Sequence, residues 1–389
     1  VTADLADPAV FAAGGQHEAW RELRQHSPVH RHPSGFWSVT GYADVERVLR
    51  DHAAFTSERG TLLNLLGKPD PASGRQLAAT DPPAHDRMRL PLQRVMGSRA
   101  AGASTRRIQL AVRELLAPGA DGDAFDLAVA MRGLPLALIG SLLDLPTGDW
   151  PRLVQLVMAA SAEEDPEFQL ADGPAATLAR AHRELFAYFL ELVRARGRAP
   201  GDDLVSLMLT VMDPAETVSN CYSLLLGASV TLPNVPTAAV LATAGTPAWR
   251  RFADDPDALA SGVEEALRWA SPASHFMRHA TGPVTLSGVA IPAGDPVVAW
   301  IGAANRDPAI FVDPDVFDPV RSPNRHLAFG GGHHYCIGSH HARLALRLLF
   351  TELFAMFDEV DVVGEPVRVR STFLSGFTRL AVAGRPRRR

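Results

Sequence analysis

The chain has 389 residues, 47% of them apolar and 21% charged, a globular balance that excludes wholesale disorder. Its 38 basic and 43 acidic residues leave a net charge of −5, which gives no reason to expect nucleic acid or an anionic membrane as the main partner. Two cysteines, Cys221 and Cys336, exclude a disulfide framework and fit a reducing cytoplasm.

The opening VTADLADPAVFAAGG lacks the basic segment and apolar core of a signal peptide. No apolar run is expected to reach the roughly 18–20 residues of a membrane span, so no membrane anchor is predicted. Gly35–Thr40 reads as an extended segment and Ala43–Leu49 as a helix. Gly60–Thr80 is loop-like. Apolar residues then recur at helical spacing in Ile108–Leu116, Leu127–Leu143, Arg152–Ala160, Ala175–Arg196 and Leu204–Val211. Ala215–Ala244 is apolar nearly all round and predicts a buried central helix. Pro233 and Pro236 fall inside it and predict a kink or break. A helix over 256–269 follows. Val284–Leu286, Val289–Ile291 and Val297–Trp300 read as short strands. A proline-rich stretch over 307–323 and a Gly-rich loop lead to a last helix, His340–Phe357, and short strands close the chain. The expected class is mainly α with small β-sheets (α+β), in a single large domain over 1–389.

The segment with chemistry is His326-Leu-Ala-Phe-Gly-Gly-Gly-His-His-Tyr-Cys-Ile-Gly338. Its glycines permit close backbone approach to a flat ligand. Cys336 falls just before a helix, where N–H groups and the helix end favour a thiolate. A metal-ligand thiolate and an inert buried Cys are both open readings from the loop alone.

The pattern Phe329-Gly330-x-Gly332-x-His334-x-Cys336-x-Gly338 resembles the heme-binding signature of the cytochrome P450 family, with every fixed position matched. Glu265-Ala-Leu-Arg268 is similar to the family's Glu-x-x-Arg motif. Asp81-Pro-Pro-Ala-His85-Asp-Arg-Met-Arg89, Ala304–Pro308, Phe317–Arg321 and Trp37–Val45 resemble further segments in the right order. The resemblance runs from about Phe36 to Val382 and implies the cytochrome P450 fold of soluble bacterial heme-thiolate enzymes. It implies heme b (iron protoporphyrin IX) as cofactor, with Cys336 as axial thiolate and Phe329 beside it. His85, Arg89, Arg278 and His326 are implied as propionate partners. His334 fits the signature without an evident electrostatic task. Glu265, Arg268 and Arg321 are implied as a buried structural network. Cys221 matches no motif and reads as core.

One departure stands out. The family's central helix carries an acid and an alcohol that help water deliver protons during oxygen activation. Aligning Leu224–Leu226 places Thr231 at the alcohol, Val230 at the acid, and Gly227-Ala228 in an inverted small pair. Valine relays no proton. Ser229, Asn234 or the substrate could substitute, peroxide could drive the reaction, or the chemistry could be an isomerisation, coupling or lyase reaction. An oxygen-dependent monooxygenase or oxidase tailoring a bacterial secondary metabolite remains the leading expectation, and a non-catalytic ligand-binding protein on this fold the remotest. The resemblance implies a small apolar or aromatic substrate, free or carrier-tethered. Its pocket would draw on Leu62, Leu63, Leu66, Leu226, Phe276, Met277, Leu374 and Phe377. Ferredoxin and ferredoxin reductase are the implied donors, with Arg99, Arg106, Arg107, Arg343 and Arg347 as a docking face. Glu163–Asp165 reads as a solvated face and the run Arg385–Arg389 as a disordered, solvated tail.

Overall fold

A computed structural model describes residues 3–255 and 257–387. The apolar run from Ala215 folds as two helices. Asp213 and Glu216 form a capping box at its start, with Pro214 in the first turn, where its missing N–H is harmless. The helix Pro214–Ser229 then stops, and Asn234–Thr243 resumes after a short turn. Pro233 and Pro236 have no N–H for the carbonyls of Ser229 and Leu232, so the expected break occurs where the ladder loses donors. Contrary to expectation, Pro214–Thr243 is long and apolar enough to cross a membrane; 56% of its most apolar stretch is buried inside the protein. Its apolarity thus serves the core, since a helix wrapped by other helices needs no polar face.

Trp150–Ser161 and Pro174–Arg198 pack on the first half of this helix, together with the short helix Leu204–Met208. Asn234–Thr243 packs against Ala258–Ala270, which also meets the last helix, Ser339–Met356. The helix expected over Leu127–Leu143 divides into Leu127–Met131 and a wide turn, Leu136–Gly140. Pro135, between them, removes a donor. The helix expected over 256–269 is Ala258–Ala270; position 256 lies outside the described residues.

The largest sheet has five strands, in the order Val29–Arg31, Trp37–Val39, Pro296–Trp300, His275–Ala280, Phe55–Thr56. Trp37–Val39 runs parallel to Pro296–Trp300, and the other pairs are antiparallel. His275–Ala280 was not legible as a strand because both its faces are largely covered, and a strand buried on both sides shows no alternation. Smaller sheets pair Val284–Leu286 with Val289–Ile291, and Ala381–Pro386 with Phe357–Val362. The tail expected to be disordered is instead ordered as far as Arg387 while staying exposed: Arg385 pairs with Glu359 at 2.9 Å and Arg387 with Asp358 at 2.9 Å. Arg388 and Arg389 lie outside the described residues.

Candidate active site

The loop around Cys336 is tied at both ends. Cys336 N–H donates to the Phe329 carbonyl at 2.9 Å and Gly330 N–H to that of Leu327 at 2.8 Å. Gly332, at φ +63°, sits so close to the neighbouring helix Tyr42–Arg50 that a Cβ would stand 2.8 Å from Arg50 Cα. No other residue fits that position without moving backbone. Phe329 is buried, and the Arg343 guanidinium lies 4.5 Å from its ring centre.

Behind the loop stands the charged network. Arg268 donates to both oxygens of Glu265, at 2.7 and 2.8 Å, and both side chains are fully buried. Arg321 Nε adds a bond at 3.1 Å, Asn324 one at 3.0 Å and Asp318 N–H one at 2.9 Å. The Glu265 carboxylate is thus saturated, which is what makes a buried charge tolerable. Burial pushes its pKa up, but the hydrogen bond and charge of Arg268 hold it below its ordinary value. Arg268 also donates to the Asn305 carbonyl at 2.8 Å, and the Asn305 amide oxygen accepts from Leu327 N–H at 2.7 Å. A continuous bonded path therefore joins the network to the start of the Cys336 loop.

His85 and Arg89 share one face of the helix Ala84–Val95. Arg89 donates to the Tyr335 carbonyl at 2.5 Å, beside Cys336. Arg278 is buried on its strand and donates to the Met277 carbonyl at 2.9 Å; burial lowers its pKa to about 10. The structure gives His334 the task the sequence left blank. Its Nε2 lies 2.9 Å from Ser57 Oγ and 3.7 Å from Asp81 Oδ1, and burial lowers its pKa to about 4. Asp81 also accepts from Ser57 N–H at 3.1 Å. Burial pushes the Asp81 carboxyl up, but bonds from His334, Thr56 and Ser57 prevail and hold it at about 2.

Both nitrogens of His326 are engaged within the protein. Its Nδ1 accepts from Ala328 N–H at 3.2 Å and its Nε2 meets Glu264 at 3.1 Å. Propionate contact would require giving up the Glu264 bond. Glu264 also receives two bonds from Arg343, at 2.7 and 2.8 Å. Arg343 is thus committed to an internal pair rather than free on a docking face.

The central-helix break holds the remaining candidates. Thr231 Oγ1 donates to the Gly227 carbonyl at 2.7 Å, and Asn234 Nδ2 to that of Val230 at 2.8 Å. Val230 is buried in an apolar cluster with Leu225 and Leu374. The Ser229 hydroxyl is buried without a partner. Cys221 is fully buried, and burial pushes its thiol up, as fits core.

The pocket candidates are only partly gathered. Leu63 and Met277 share one cluster, with Leu66 packed on it; Leu374 lies in a second, with Leu226 packed on it; Phe377 lies in a third. Phe276 packs partly buried against a fourth, and Leu62 is partly exposed. Two long-range bonds that the sequence did not suggest hold the loop over 61–79. His275 Nε2 accepts from Leu63 N–H at 3.1 Å, and Asn220 Oδ1 on the central helix accepts from Leu77 N–H at 2.8 Å. The acidic run is also corrected. Asp165 is buried and accepts from Arg370 N–H at 2.8 Å, and burial raises the Glu163 carboxyl.

These residues fit a heme. The His85 Nε2 is buried with no partner; because Nδ1 faces the Asp86 carboxylate at 3.2 Å, Nε2 would donate to a propionate as the other tautomer or as the imidazolium that such an anion favours. Cys336 keeps accessible surface although its sulfur is crowded enough for desolvation to dominate. Both hold if the thiol opens onto an interior cleft. Burial pushes that thiol up, against Gly338 N–H, Arg89 and Arg343. The Gly338 N–H at the helix start does favour a thiolate, as expected, but burial outweighs it; a metal's charge would deprotonate the sulfur outright.

Fold and loop together define a heme-thiolate protein. The Cytochrome P450 family model matches residues 258–374. Cytochrome P450 NovI of Streptomyces niveus is 34% identical over 393 residues, covering 97% of this chain and 95% of its own. Linalool 8-monooxygenase of Pseudomonas putida is 29% identical, covering 97% of this chain and 98% of its own. The crystal structure of P450 OxyD, involved in the biosynthesis of vancomycin-type antibiotics, superposes with a TM-score of 0.88 at 36% identity, covering 99% of this chain and all of that one. The chain belongs to the cytochrome P450 family. It is a P450-type oxidoreductase of the monooxygenase class, and its cofactor is heme b held through a cysteine thiolate.

Proposed function

We propose that residues 1–389 form one catalytic domain that oxidises a small secondary metabolite with dioxygen, inserting oxygen or removing hydrogen. Cys336 supplies the axial thiolate. The observation that carries this reading is the tethered loop, with Cys336 exposed next to the Arg89 guanidinium on the Tyr335 carbonyl, and with an unpartnered His85 Nε2 one helical turn from Arg89. Heme bound there supplies oxygen activation, which a thiolate ligand favours. His85, Arg89 and Arg278 hold its propionates, the two arginines by charge-assisted hydrogen bonds. Phe329 shields the sulfur. The tailoring role is supported by the likeness to NovI and OxyD over nearly the whole chain.

The substrate is small and largely apolar, free or carrier-bound, received near Leu63, Leu226, Phe276 and Leu374. Electrons come from a ferredoxin and its reductase, docking on Arg99, Arg106, Arg107 and Arg347. Ser229 is the favoured proton donor at the break, because its hydroxyl is buried and uncommitted while Thr231 and Asn234 bond backbone carbonyls.

Val230 favours a second reading. With no acid at that position, isomerase, lyase, coupling or peroxide-driven chemistry would need no proton relay. The two readings part in one experiment. Purified holoprotein is added to extract of a producing host that lacks the gene, with or without ferredoxin, reductase and NADPH. The first expects reductant-dependent gain of one oxygen or loss of two hydrogens. Conversion indifferent to reductant would establish the second.

A further inference from the structure

The Gly-rich loop carries two adjacent histidines, and only His334 has a place in the site described above. His333 Nδ1 lies 3.5 Å from Asp86 Oδ1. His85 Nδ1 lies 3.2 Å from the same oxygen. The ligating atoms of His85, Asp86 and His333 all lie within 4.8 Å of one another. The His52 ring stands 4.3 Å from that of His333 at 70°. These groups come from three separate elements. His85 and Asp86 open the helix Ala84–Val95, His333 lies in the turn Gly332–His334, and His52 follows the helix Tyr42–Arg50.

Their spacing is that of a coordination shell. Bonds of about 2.0–2.1 Å in a tetrahedron put ligand atoms roughly 3.4 Å apart. The two edges that meet at Asp86 Oδ1, 3.2 and 3.5 Å, fall on either side of that value, and the His85–His333 edge, within 4.8 Å, would have to close onto an ion. The mix of imidazole and carboxylate suits zinc and its neighbours rather than magnesium or calcium. Access is adequate, because the side chains of His333 and Asp86 keep 40% and 44% of their exposure. The site is also compatible with a heme, since it uses His85 Nδ1 and leaves Nε2 free. Close contact of Gly332 with Arg50 holds the turn that carries His333 against the helix before His52.

We propose that His85, Asp86 and His333, with His52 alongside, bind a divalent transition cation of the zinc type at the edge of the heme pocket. The ion ties the helix that carries Arg89 to the loop three residues before Cys336. It also fixes His85 as the tautomer that donates from Nε2, because a metallated Nδ1 holds no proton. Metal occupancy is thereby coupled to the hydrogen bonding of the heme edge, independently of which substrate is oxidised.

The test uses heme-loaded full-length protein freed of metal by chelator. Zn²⁺ is titrated calorimetrically, and the heme absorption is recorded at each addition. The expected result is about one ion per chain, a small saturable shift of the heme band, and at least about tenfold weaker binding in both His333→Ala and Asp86→Asn. His52→Gln should weaken binding less. The carbon monoxide band of the reduced His333→Ala protein should match the parent, which separates ligand loss from misfolding. Absence of saturable binding, or binding equally tight in both variants, overturns the proposal.

Discussion

The loop around Cys336 and the break in the central helix are both turns beside helices, but they treat their polar groups differently. Around Cys336 the polar atoms are tied down by distant partners: Glu265 by Arg268 and Arg321, His334 by Ser57, Asp81 by Ser57 N–H. Left without partners are Asn324 Oδ1, both His341 ring nitrogens and His85 Nε2, the last being the atom proposed to face a heme propionate. At the break, Thr231 and Asn234 only repair carbonyls of their own helix, and Ser229 is left over. The first region is preorganised for a rigid cofactor. The second keeps little polar machinery of its own; in the proposed oxygen-dependent reaction its proton supply would rest on the Ser229 hydroxyl and on what the substrate brings.

The largest effect tests the first region at its centre. Cys336→Ala should abolish the red-shifted carbon monoxide band of the reduced protein, measured by difference spectroscopy. An unchanged band would remove the ligand assignment and with it the contrast between the regions. The next tests how that region is held. Glu265→Ala leaves Arg268 charged and buried without its main partner. It should cost about 3–5 kcal/mol, read as a lower denaturation midpoint and poor heme retention. A loss under about 1 kcal/mol, the scale of an exposed pair, would mean that the network does not support the loop.

What was legible in the sequence follows the same division. Glu265 and Arg268 are one helical turn apart, and the loop signature lies within one short segment, so local spacing exposed both. Prolines 233 and 236 exposed the helix break because their chemistry acts on the preceding turn. The contacts that escaped notice join residues far apart in the chain. Ser57 with His334, Leu63 with His275, and Asp165 with Arg370 leave no periodic trace. Asp165 was misjudged because an acidic run on a helix end ordinarily faces water; here the Arg370 backbone N–H gives the carboxylate an interior partner. The C-terminal residues Arg385 and Arg387 are exposed as expected, but their order was not legible. Their partners, Glu359 and Asp358, lie on a strand that only the folded sheet brings alongside.

The finest test concerns Val230 itself. Val230→Asp puts an acid at the position the resemblance implies for one, inside the apolar cluster that holds Leu225 and Leu374. Burying its carboxyl should cost about 1–3 kcal/mol and raise its pKa above the ordinary carboxylate value of about 3.9. A carboxyl raised in the folded state stays protonated there after the unfolded chain has ionised. The folded form then binds more protons, so stability falls as pH rises from about 4 toward the raised value. Val230→Asn carries the same polarity without the titration and should show no such slope between those pH values. If a missing acid limits proton supply, the Asp variant makes more product per reductant consumed than the parent, and the Asn variant does not. Equal yields from all three would mean that the break works without an acid, leaving Ser229 or the substrate as the source and reducing the difference between the two regions to one of packing.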